Sequence, residues 1–132
     1  MPIDPALVQA LRDALAAAEQ LEADEALPHL RAAADTLAEL IDESMAEAVV
    51  HRRASLRGAG AKAGLSENAV GPRLARTAAL APYANADGRV TAAAVERARY
   101  DAETGAPPPA PAAPAAAPMR FKARRPTPPK GS

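Results

Sequence analysis

At 132 residues the chain has room for one domain plus tails, and with no cysteine it excludes a disulfide framework and any thiolate metal site. Nominal hydrophobicity is 48%, but thirty-eight residues are alanine and Tyr83, Tyr100 and Phe121 are the only aromatics, so a bulky core is excluded and helices packed closely through alanine are favoured. The formal charge of zero hides two opposed halves: residues 1–50 hold eleven acids and two bases (−9), residues 51–132 fourteen bases and five acids (+9).

Asp4-Pro5 is a helix start, with Asp4 as N-cap, Pro5 pre-set at the first helical position and Ile3 placed to staple onto Val8. Leu7, Leu11, Leu15, Ala18 and Leu21 then form one apolar stripe, which predicts an amphipathic helix to about Glu25. Pro28 predicts a break or sharp kink between Asp24 and Pro28. A second helix is expected from Pro28 to Arg53, with a near-heptad stripe of Leu30, Ala34, Leu37, Ile41, Met45 and Ala48, widened by Leu40 and Val49. The two helices predict an antiparallel acidic hairpin over residues 1–53, serving either as a homodimer interface or as part of a monomeric bundle. Asp42, Glu43 and Glu47 are expected on its solvated face.

The charge changes sign at His51-Arg52-Arg53, and the chain then enters Ser55–Arg76. A short helix here carries Ala59, Gly60 and Ala63 on its inner face; Gly64 ends it, Leu65 fills the gap, Ser66 caps a second helix through its hydroxyl, and Val70 and Leu74 face inward. The stretch covers 22 of 132 residues and resembles the helix-turn-helix of LuxR-type regulators and of the promoter-reading domain of sigma factors. Gly60, the Leu65-Ser66 step, Val70 and Leu74 carry that resemblance. Gly60 stands where Ala is usual in those families, and Gly71-Pro72 falls inside the second helix, where proline costs roughly 3 kcal/mol.

Next comes a loop, Ala81–Arg89, marked by Pro82 and the Asp87-Gly88 turn signal. Thr91 is the expected N-cap of a last helix to about Glu103, burying Val95, Ala98 and the ring of Tyr100, with Gly105 as its stop. Residues 54–105 thus form the helix-turn-helix region. Residues 106–132 read as a disordered Pro/Ala-rich tail that is partly polyproline II and ends in Met119–Arg125 and Lys130, with five bases and no acid. Strand candidates are absent, so the expected class is all-α.

The resemblance implies a second helix that enters the major groove of double-stranded DNA while basic residues grip phosphate. Glu67, Asn68, Gly71, Pro72 and Ala75 would then face the groove. Asn68 is suited to adenine and Glu67 to a cytosine amino group. Arg52, Arg53, Arg57, Lys62, Arg73 and Arg76 are the phosphate candidates, and Ser66 lies beside them at the start of the second helix. Gly71 and Pro72 offer no side-chain hydrogen bond, so phosphate-dominated binding with modest base reading is expected. The alternative is a non-enzymatic adaptor whose acidic helices and basic tail bind protein partners.

Enzymatic chemistry, cofactor and metal are not expected. His29 and His51 are the only histidines and fall about six helical turns apart, and Gly58-Ala59-Gly60 lacks the strand that a phosphate loop needs. The start Met1-Pro2-Ile3-Asp4 has no basic, apolar leader, and no apolar run reaches membrane-span length, so a cytoplasmic location is expected.

Overall fold

The computed structural model describes residues 3–109, which fold into five α-helices with no strand among them. In chain order these are α1 (Pro5–Glu19), α2 (Ala23–His51), α3 (Leu56–Lys62), α4 (Glu67–Leu74) and α5 (Ala92–Thr104), with a 3₁₀ turn at Ala81–Tyr83. No helix among the described residues is long and apolar enough to cross a membrane. The tail expected to be disordered lies outside the described residues from 110 onward.

α1 starts as its sequence dictates: the Asp4 carboxylate accepts from the Ala6 N–H at 2.8 Å, and Pro5 occupies the first turn. It ends six residues before the expected Glu25, at Glu19. The chain turns at Gln20–Glu22, and Pro28 lies inside α2 instead of breaking the chain. The proline is tolerated because it sits in the second turn of α2, where it removes a single N–H, while Asp24 and Glu25 stabilise the first turn through the helix dipole.

α1 and α2 form the expected antiparallel hairpin, and its seam keeps only part of the expected stripes, with Ala18 and Leu40 buried and Leu7 and Leu11 half-buried. The buried positions are Ala18 on α1 and Ala26, Ala33 and Leu40 on α2, the last three spaced seven apart. Leu15, Leu30 and Leu37 of the predicted stripes stay outside, each more than two-fifths exposed.

The C-terminal half of α2 enters a second, denser body. Met45, Ala46, Val49 and Val50 meet Ala59, Val70, Leu74, Leu80, Val90, Val95 and Ala98 in one continuous core. Leu74, Leu80 and Val49 are completely buried, and each contributes about 1.5–3 kcal/mol relative to exposure. Tyr100, expected inside, is exposed, whereas Tyr83 is half-buried and donates to Asp101 at 2.7 Å. Burial first, and then the Asp101 hydrogen bond and charge, raise the Tyr83 pKa.

α5 begins with the Thr91 hydroxyl accepting from the Ala94 N–H and stops at Gly105 in the left-handed conformation (φ 74°). Arg99 of α5 ties the body together. Its guanidinium donates to the carbonyls of Val49 at 2.7 Å and Ala54 at 2.9 Å, supplying donors to the end of α2 and to the α2–α3 connection.

Candidate nucleic-acid interface

The α3–α4 pair is built from small residues. The Ser55 hydroxyl accepts from the Gly58 N–H and caps α3. Ala59 and Gly60 are buried, Gly64 turns the chain at φ 75°, and the Leu65 N–H returns to the Gly60 carbonyl at 2.9 Å. A Cβ on Gly60 would lie 2.5 Å from Val70 Cγ2. That contact explains glycine at this position: α4 packs onto α3 through the missing methyl. Val70 and Leu74 face inward as their spacing requires.

α4 runs unbroken through Gly71-Pro72. Pro72 has no N–H for the Asn68 carbonyl, and the Arg89 guanidinium donates to that carbonyl instead, at 3.1 Å. Beside it, the Val90 N–H donates to the Gly71 carbonyl at 3.1 Å, and a Cβ on Gly71 would sit 3.2 Å from the Val90 carbonyl oxygen. Gly71-Pro72 therefore receives the segment that leads into α5. Gly71 is buried rather than groove-facing as expected, and Pro72 and Ala75 are half-buried. The outward surface of α4 shrinks to its first turn, Glu67 and Asn68, with Ser66 before it and Arg76 beyond its far end, all four exposed. Ser66 has the extended backbone of an N-cap, but its hydroxyl makes no capping bond, in contrast to the expected cap.

The phosphate candidates divide into distinct environments. Arg57 Nε donates to Glu67 at 2.9 Å, so two predicted site residues pair across the turn on the exposed surface. Such pairs are worth about 0–1 kcal/mol and open readily for a better partner. Arg53 is held by Glu103 at 2.9 Å, also in the open, and its backbone is left-handed (φ 59°) where α2 gives way to α3. Arg52 and Lys62 are exposed at the edge of the cleft between the hairpin and α3. Arg73 differs: its guanidinium meets Asp42 of α2 at 2.7 Å, and both side chains are largely buried. Arg76 reaches the same carboxylate from 4.0 Å while staying exposed.

Three contributors were not legible as site residues. Asp42, assigned above to a solvated face, is only 8% exposed. It lies four positions before Ala46 and seven before Val49, so the helical period already placed it on the buried face of α2. Arg89 and Arg99 act through backbone carbonyls distant in sequence. Pro72 signals an orphaned carbonyl, but not which donor fills it. Among the described residues no group of three or more His, Cys, Asp or Glu side chains is placed to hold a metal ion.

No protein-family model, curated protein or solved structure matches this chain.

Proposed function

We propose that this chain is a small DNA-binding protein, a regulator of transcription or of DNA maintenance, in which α3 and α4 present the first turn of α4 to the duplex. What carries the reading is the close α3–α4 packing through Gly60, which leaves Ser66, Glu67 and Asn68 exposed at the start of α4 with Arg57 paired to Glu67 beside them. With Gly71 covered, only Glu67 and Asn68 remain to read bases, so contact is dominated by phosphate. Arg52, Arg53, Arg57, Lys62 and Arg76 supply it. Arg73 serves instead to hold α4 on α2 through Asp42. The pairs Arg57–Glu67 and Arg53–Glu103 exchange a carboxylate for a phosphate on binding.

Anisotropy titration of a labelled random duplex is the direct test. Four or five phosphate contacts predict an affinity that falls about 10²–10³-fold between 50 and 200 mM salt. Replacing Arg57 and Arg76 with alanine lowers both the affinity and the salt slope. Absence of binding to any duplex at low salt overturns the proposal.

The exposed leucines of the hairpin support a second reading, a non-enzymatic adaptor that binds protein partners through α1 and α2, or a homodimer formed there. Removing residues 106–132 discriminates. The DNA-binding reading keeps measurable duplex affinity in the shortened chain; the adaptor reading loses partner binding with the tail or the hairpin.

A further inference from the structure

A cleft of about 800 Å³ separates the hairpin from α3, and its apolar wall includes Val8 of α1, Leu37, Ile41 and Met45 of α2, and Ala59 of α3. A second hollow of about 690 Å³ adjoins it, sharing Ile3, Leu40 and Ala48, and carries Asp4, Glu39 and Glu43. Together they make an apolar floor with an acidic margin on the α1–α2 side. The α3 side carries the base Lys62, and Arg52 at the end of α2 borders both hollows.

We propose that residues 119–125 of this same chain, Met119-Arg120-Phe121-Lys122-Ala123-Arg124-Arg125, occupy this cleft. Read as an extended segment, the sequence places Met119, Phe121 and Ala123 on one side and Arg120, Lys122 and Arg124 on the other. That alternation matches a floor without charge beside a row of carboxylates. Phe121 is the only phenylalanine in the chain, and the cleft is an apolar space large enough to take it. The charges also favour the tail over a second acidic hairpin as occupant: residues 1–50 carry −9, whereas residues 110–132 carry +5.

The chain reaches. α5 returns beside the mouth of the cleft, where Glu103 holds Arg53, between the cleft-lining Arg52 and Ala54. Thirteen residues lie between Gly105 and Met119, and fourteen steps at a proline-rich rise would reach about 43 Å, whereas Arg52 to Leu37 along α2 is about 23 Å. Lys62 repels the tail from the α3 side, so its bases settle along Asp4, Glu39 and Glu43, which outnumber Arg52 in the second hollow.

The chain has no cysteine, so Ala123→Cys in the full-length protein carries a spin label at a single site. Amide spectra recorded with the label oxidised and reduced test the proposal without any nucleic acid, and so independently of DNA binding. The expected result is loss of amide intensity at Leu37, Ile41, Ala48 and Ala59, unchanged on dilution. Phe121→Ala, which lies outside every described helix, and the pair Glu39→Lys with Glu43→Lys should each restore that intensity. No loss at these amides overturns the proposal. So does loss that disappears on dilution, which assigns the cleft to a second copy, and so does loss centred on Leu15 and Leu27, on the exposed hairpin surface.

Discussion

The hairpin and the C-terminal body are made from the same alanine-rich alphabet, yet they solve the packing problem in opposite ways. The outer hairpin buries alanines and leaves Leu15, Leu27, Leu30 and Leu37 exposed. The C-terminal body buries Val49, Leu74, Leu80, Val90 and Val95 and cross-braces them with guanidinium-to-carbonyl bonds from Arg89 and Arg99. Alanine alone brings helices close but removes little surface from water, so stability concentrates where branched side chains close a core.

The widest contrast between the two regions should come from leucine truncation. Leu74→Ala or Leu80→Ala removes a fully buried side chain and is expected to cost about 2–5 kcal/mol in denaturant unfolding. Leu30→Ala, on the hairpin, is expected to stay within about 0.5 kcal/mol. Equal costs at Leu74 and Leu30 would erase the distinction between the two regions.

The next largest effect concerns the α3–α4 contact. Gly60→Ala should destabilise by about 1–3 kcal/mol, because the new methyl meets the stiff, buried Val70 side chain; this outweighs alanine's better helix propensity. The double variant Gly60→Ala with Val70→Ala should recover part of that loss, and a double-mutant cycle measures the coupling. Strict additivity would show that the two helices do not meet through this pair.

A smaller effect sharpens the account of Pro72. Arg89→Met is expected to cost about 1 kcal/mol by leaving the Asn68 carbonyl to water, and to cost less in the Pro72→Ala background, where an alanine N–H is available to that carbonyl. Thermal unfolding of the four proteins checks this.

The smallest effect is a pH dependence. The folded state raises the Tyr83 pKa above 10.0, so the neutral phenol is the favoured form. Its stabilising contribution is complete below the unfolded value and is lost as pH rises through the folded one. Alkaline unfolding should therefore steepen above pH 10, and Tyr83→Phe should lose about 1 kcal/mol near neutrality along with that alkaline dependence.

How much of this was readable in advance depends on how far apart the partners lie. The all-helical class, the caps at Asp4 and Thr91, the stops at Gly64 and Gly105 and the inward pair Val70 and Leu74 are local: each depends on a few neighbouring residues and on the helical period. The face of the hairpin that packs, the pairing of Asp42 with Arg73, the use of Gly71-Pro72 as a seat for Arg89 and Val90, and the bonds from Arg99 belong to tertiary structure alone. Periodicity shows which residues share a helix face, but with alanine on several faces it does not rank them. Only the distance of closest approach between two backbones makes that choice.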